Sequence, residues 1–147
     1  MAAVRILTAP FDPWQTLQDY EQREHAGHTG LGATACFVGR MRDFNEGDNV
    51  RTMTLEHYPG MAERVLENLL DEALSRWPLE DGLIVHRVGE MQPAEPIVLA
   101  AVWSSHRAAA FEACRFLMEA LKSKAPFWKK EALTDGSERW VEHNTPG

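Results

Sequence analysis

Lys122 and Lys129 are the residues of this sequence best placed to do chemistry. Pro126 lies between them, so they do not share one continuous helix. Lys122 falls in the last turn of a helical pattern, where a cation suits the helix dipole. Lys129 follows Pro126-Phe127-Trp128, and two large aromatic side chains anchor the chain beside it. An amine against an apolar wall is poorly hydrated; its pKa drops and it serves as a nucleophile or an acid–base group. A strand lysine pointing into solvent is the plainer account of the same residue.

Ser105-His106-Arg107 stands where a strand pattern hands over to a helix. A helix start offers free N–H donors and the positive end of a dipole. Arginine adds a planar fork for phosphate, and histidine moves protons near neutral pH. On local spacing alone, a capping Ser105 followed by two exposed polar residues is the plainer account of the triplet. Arg40 and Arg42 flank Met41 and would share one face of a strand, repelling each other unless an anion or an acid such as Glu56 sits between them.

Other chemistries find less support. His25 and His28 have a metal-like spacing, but the loop is glycine-rich and no Cys/His pair completes four ligands, so no metal is expected. His57 and His86 lie in apolar strand patterns and read as core histidines. There is no glycine-rich phosphate loop of the P-loop or dinucleotide-binding kind, and no Ser-His-Asp or Cys-His pattern. Cys114 falls on the buried stripe of a helix and reads as structural. Cys36 and Cys114 lie far apart in sequence, as expected of free thiols in a reducing cytoplasm.

Charge placement sharpens the picture. The chain has 147 residues and a net charge of −7, which disfavours nucleic acid and anionic membrane as partners. All four lysines, Lys122, Lys124, Lys129 and Lys130, nevertheless fall within nine residues. Residues 103–130 carry an excess of four positive charges, leaving a net −11 for the rest. This is the pattern of a focused anion site on an acidic protein. The longest apolar run, residues 97–103, is far short of the roughly 20 residues a membrane helix needs, and residues 1–10 do not read as a secretory signal.

The elements that must position these residues follow from periodicity. Strands are expected at 4–8, 33–41, 51–57, 83–88 and 97–103, and helices at 13–24, 61–77 and about 106–124. Residues 25–32 and 43–49 read as loops, 92–96 as a turn, and 127–131 with 138–142 as a hairpin around Asp135-Gly136. Pro78 and Pro126 are expected to stop the two long helices. The sum is one α+β domain over residues 1–147, two-layered, with helices on one face of a largely antiparallel sheet and a small β-hairpin subdomain.

Five stretches occur in a telling order: Phe37-Val38-Gly39-Arg40-Met41-Arg42; Leu55-Glu56-His57-Tyr58-Pro59-Gly60-Met61; Ser105-His106-Arg107 with Ala110-Phe111; Leu121-Lys122 with Ala125-Pro126-Phe127-Trp128-Lys129; and Trp140-Val141-Glu142. Together they resemble the large, catalytic subunit of molybdopterin synthase, over about residues 33–142. Met41, where valine is commoner, and Pro93-Ala94-Glu95 depart from the family pattern, but neither departure replaces a basic site residue. The resemblance implies an α/β hammerhead-like fold and a cytoplasmic sulfurtransferase of molybdenum cofactor biosynthesis. Such an enzyme converts cyclic pyranopterin monophosphate into molybdopterin. The sulfur comes from the C-terminal thiocarboxylate of a small ubiquitin-like carrier subunit, whose tail threads into a pocket.

It further implies a homodimer with one carrier at each end, a heterotetramer, and no metal or organic cofactor for the transfer. By the same resemblance Lys122 and Lys129 are the catalytic lysines, and Arg40, Met41, Arg42, His106, Arg107, Lys130 and Glu131 bind substrate. The alternative is a non-catalytic module that holds an acidic or phosphorylated ligand or a carrier tail with the same basic cluster. Single-stranded nucleic acid is a weaker third reading, since Phe127-Trp128 and the lysines offer too short a stacking track.

Overall fold

The computed structural model of the protein describes residues 2–124 and 127–141. The elements run β1 (Ala2–Leu7), α1 (Pro13–Glu24), β2 (Ala33–Arg40), β3 (Phe44–Asn45), β4 (Asp48–His57), α2 (Met61–Arg76), β5 (Leu79–Arg87), β6 (Gly89–Met91), β7 (Pro96–Ser104), α3 (Arg107–Lys124), β8 (Phe127–Leu133) and β9 (Glu138–Val141). The first sheet has the order β1-β5-β7-β2, with β1 parallel to β5 and the other pairs antiparallel. The second has the order β3-β4-β8-β9, with β6 also paired to β4. The α+β class and the largely antiparallel sheets are as expected. No helix among the described residues is long and apolar enough to cross a membrane.

Local chemistry sets the helix ends. Asp12 caps α1: its Oδ1 accepts from the backbone N–H groups of Trp14 (3.0 Å) and Gln15 (3.2 Å), and Pro13 fills the first helical position. Gly60, at φ 86°, turns the chain into α2, and Glu63 reaches back to accept from its N–H at 2.7 Å. Pro78 follows α2 directly. Pro126, expected to stop α3, and Glu142, expected to end the last strand, lie outside the described residues.

The core has two faces. Alternate residues of the central strands β5 and β7 point to opposite sides of the first sheet. Ile84, Val98, Ala100 and Val102 pack with Leu66, Leu69 and Leu70 of α2 and Leu117 and Leu121 of α3. Leu83, Val85, Leu99, Ala101 and Trp103 pack on the other side with Tyr20 and Leu17 of α1. Each fully buried leucine of this kind contributes about 1.5–3 kcal/mol relative to exposure. The two long helices thus share a face as expected, while α1 covers the reverse face. Tyr20 explains why: its ring stacks on Trp103 at 5.3 Å, and its hydroxyl donates to Asp81 Oδ2 at 2.7 Å.

Asp81 also accounts for the early start of β5, expected only at residue 83. A polar pair, Glu80-Asp81, interrupts the apolar run, yet buried Asp81 accepts from Tyr20 and from the N–H of Gly82, so the strand continues through it. The expected loop 43–49 holds a tight hairpin instead. Glu46 (φ 52°) and Gly47 (φ 81°) form a two-residue turn, and Phe44–Asn45 pair with the start of β4. The expected C-terminal hairpin exists, but β8 also pairs with β4 from Val50↔Leu133 to His57↔Phe127, which makes it the middle of a larger sheet. That pairing brings β8, the end of β2 and the end of α3 around one cavity.

Candidate active site

The cavity has a volume of about 430 Å³ and is lined by Arg40, Met41 and Arg42 from the end of β2, Phe44 and Asn45 of β3, Lys122 of α3, and Lys129 and Glu131 of β8, with Phe37, Met53, Ile97 and Val98 among the apolar walls. Lys122 and Lys129 therefore meet, although they sit on different elements. Burial among the cavity walls lowers the pKa of Lys122, and the Lys129 ammonium and Arg42 lower it further. Burial is also the first cause of the lowered pKa of Lys129; Arg42 adds to it, while Glu131 and Glu46 oppose it. Two amines with weakened proton affinity facing one space can hold an anion and can also exchange a proton with it.

Arg40 and Arg42 reach the cavity by a different route from the one expected. β2 ends at Arg40, with a register irregularity between Gly39 and Arg40. Met41 is 4% exposed, and its N–H donates to Glu95 O at 3.0 Å, which turns the chain inward. Arg40 Nη1 donates to Ala94 O at 3.3 Å, and the Arg42 guanidinium lies 5.1 Å from the centre of the Phe44 ring. Glu56 is not the acid between them, because it pairs with Trp128 and faces away from the cavity.

Glu131 is a buried carboxylate, 4% exposed, and it is fully engaged. Arg139 Nε donates to its Oε1 at 3.0 Å, and Asn45 Nδ2 donates to both oxygens at 3.2 and 3.1 Å. Asn45 and Arg139 are participants that sequence reasoning missed. Asn45 lay in an apparent loop, and Arg139 is matched to Glu131 only by the β8–β9 register.

Lys130 is not among the residues that line the cavity. It was expected beside Lys129 in the site, but a strand sends consecutive side chains to opposite faces. Lys130 pairs with Glu138 at 2.6 Å and lies 5.8 Å from the Trp140 ring centre, outside the cavity.

His106 and Arg107 are exposed at the start of α3, whereas Lys122 occupies its last turn. Fifteen residues of helix separate Arg107 from Lys122, about 22 Å at 1.5 Å per residue. One copy of the chain does not bring them together. The serine that serves this helix start is Ser104, whose Oγ accepts from the N–H of His106 at 3.3 Å; Ser105 instead donates its hydroxyl to Gly30 O at 3.1 Å.

The histidine readings resolve in the same way. His25 Nε2 lies 2.7 Å from Asp81 Oδ2, and His28 Nε2 lies 3.9 Å from Glu80, so each histidine faces its own carboxylate. Among the described residues no group of three His, Cys, Asp or Glu is placed to hold a metal. His86 is a core residue: its Nδ1 is 2.8 Å from Arg87 O and its ring stacks on Phe127 at 4.2 Å. Cys114 is buried, with its pKa pushed up to about 11 by burial and by Cys36.

Known proteins resemble this chain in sequence and in fold. The family model described as MoaE protein matches residues 7–124. The molybdopterin synthase catalytic subunit of Pseudomonas aeruginosa is 51% identical over 140 residues, covering 95% of this chain and 90% of that protein. Among solved structures, the molybdopterin biosynthesis MoaE protein of Burkholderia ambifaria is 48% identical, with a TM-score of 0.78 over 96% of this chain and 89% of its own. Molybdopterin synthase of Staphylococcus aureus is 32% identical, with a TM-score of 0.82 over 95% and 96%. With this identity across nearly the whole chain and the same fold, the chain belongs to the MoaE family of molybdopterin synthase catalytic subunits.

Proposed function

We propose that this chain transfers sulfur to cyclic pyranopterin monophosphate, drawing it from the C-terminal thiocarboxylate of a small ubiquitin-like carrier protein and so forming the dithiolene of molybdopterin. The observation that carries the reading is the convergence of Lys122, Lys129, Arg40 and Arg42 on one cavity of an acidic protein. Both reactants are anions. The carrier sulfur forms a bond to a side-chain carbon of the pterin. Water then cleaves the carbonyl–sulfur bond, leaving sulfur on the pterin and a carboxylate on the carrier. A second carrier repeats the step at the neighbouring carbon. Of the two carbon–oxygen bonds that break as sulfur is installed, one releases its oxygen as water. The other leaves its oxygen on the phosphate, which opens from cyclic diester to monoester.

In this reading Lys122 and Lys129 hold the thiocarboxylate, stabilise the charge that develops at its carbonyl and move protons. Preorganised positive groups of this kind supply much of the rate in such chemistry. Arg40 and Arg42 hold the phosphate, Met41 forms part of the cavity wall, and Glu131 lines the cavity while held by Asn45 and Arg139. A cytoplasmic setting accords with the two free thiols, Cys36 and Cys114.

His106 and Arg107 enter the site from a second copy. A groove of about 530 Å³ runs between edge strand β2 and α3, lined by Phe37, Phe111, Cys114 and Met118 together with Arg115 and Glu119. Phe111 is 70% exposed there, and Phe37 lines both groove and cavity. Arg115 and Glu119 are complementary charges that can exchange partners about a two-fold axis. Two α3 helices packed antiparallel about that axis set the start of one beside the end of the other, and so Arg107 near the partner copy's lysine cavity.

The test mixes the purified protein with a thiocarboxylated carrier and cyclic pyranopterin monophosphate and assays the dithiolene product. Product formation that disappears in Lys122→Ala and Lys129→Ala supports the reading. A stable carrier complex without product would overturn it in favour of a binding module.

A further inference from the structure

Arg139 lies on edge strand β9, outside the lining of the cavity, yet it reaches the carboxylates that act on Lys129. Its Nε donates to Glu131 at 3.0 Å, its Nη1 donates to Asp48 at 2.8 Å and lies 3.7 Å from Glu46, and its Nη2 donates to Asn45 O at 2.8 Å. Glu131 stands two residues beyond Lys129 on the same face of β8 and lines the same cavity. Among the described residues, Glu131 forms its ion pair with Arg139 and not with Lys129.

We propose that Arg139 is a positioning residue for the transfer reaction: by engaging Glu131 and Glu46 it keeps both carboxylates off Lys129 and leaves that ammonium to meet the substrate anion. A buried carboxylate demands a cation. Without Arg139, the cation nearest to Glu131 along its own strand face is Lys129. Pairing there would occupy the ammonium and hold its proton more tightly. The groups facing Lys129 are Lys122 from α3, Arg42 from the end of β2, Glu131 from β8 and Glu46 from the β3–β4 turn. The two cations already favour release of its proton. The two carboxylates oppose this, and they are the ones that Arg139 restrains.

The role assigned to Lys129 rests on the sulfur-transfer reading, but the test does not need turnover. Only four lysines are present, so a lysine-labelled full-length chain gives a side-chain NMR spectrum simple enough to follow each ammonium through a pH titration. In Arg139→Met the Lys129 midpoint is expected to rise by about one pH unit, the effect of an opposite charge brought within about 4–6 Å. In Arg139→Met combined with Glu131→Gln it is expected to fall back toward the wild-type value. Where Arg139→Met does not fold, Arg139→Gln is titrated in its place with the same expectation. In the product assay, the pH optimum of the single variant is expected to move upward with the Lys129 midpoint. An unchanged Lys129 midpoint in a folded Arg139 variant overturns the proposal, even if product formation falls. Absence of product from the wild-type protein, with the midpoint shifted as expected, would overturn the sulfur-transfer reading and leave the restraint on Glu131 standing.

Discussion

Lys129 and Lys130 are neighbours in sequence and face opposite sides of β8: Lys129 lines the cavity with Lys122, and Lys130 pairs with Glu138 at 2.6 Å on the other side. Their substitutions should therefore behave differently. Lys122→Ala and Lys129→Ala are expected to lower kcat by roughly 10²–10³-fold, the loss seen when one preorganised charge-stabilising donor is removed. Lys130→Ala is expected to stay within about twofold of wild type, because its pair is on the surface and such pairs contribute little. Steady-state rates of product formation, with circular dichroism to verify folding, would check this. Equal losses in all three variants would contradict the assignment of faces.

Burial carries the pKa of His86 down from 6.5 to about 4. The unfolded chain therefore binds a proton in that interval that the folded chain refuses. The contribution of neutral His86 is fully present above pH 6.5 and is lost as pH falls toward 4, a change of roughly 3 kcal/mol over the interval. In His86→Gln this part of the acid slope should vanish. Urea unfolding of both proteins from pH 7.5 to 4 gives the difference curve, which should narrow as pH falls. Parallel curves would mean that His86 does not titrate as its burial requires.

The distance of about 22 Å between the ends of α3 makes complementation a direct test of the shared site. Arg107→Ala and Lys122→Ala homodimers should each be nearly inactive. After the two are mixed and allowed to exchange subunits, each hybrid should regain one intact site, with Lys122 from one copy and Arg107 from the other. Recovery approaching a quarter of the wild-type rate is expected for statistical exchange, since about half of the dimers are hybrids with one of two sites intact. No recovery despite proven exchange would place both residues outside a common site.

Gly32 fits under the start of α3 with no room to spare. A Cβ there would lie 2.1 Å from the carbonyl oxygen of Ser105, and the Gly32 N–H donates to Ser104 O at 3.0 Å. Gly32→Ala must push the 104–106 segment away, at a cost of about 1–3 kcal/mol. Thermal unfolding should show the loss. A variant as stable as wild type would mean that the segment yields freely.

Local periodicity determined much of this protein. The 3.6-residue spacing marked the two long helices, Pro13 marked the start of the short one, and alternation or continuous apolar runs marked the principal strands, because those signals depend on neighbours a few residues apart. The lysine cluster and the ordered stretches around Arg40, His57, His106, Lys122 and Lys129 carried the family and its chemistry. Tertiary structure alone decided which of these residues meet. Sheet register set Lys129 inward and Lys130 outward, and joined Glu131 to Arg139 and to Asn45, 86 residues away. The buried Tyr20–Asp81 bond, across 61 residues, carried α1 to the reverse face and let β5 run through a polar pair. The length of α3 held His106 and Arg107 away from the lysines. A side chain's type is written locally, but its partner is chosen by strand order, register and the packing of faces, and these join residues whose separation along the chain bears no relation to their distance in space.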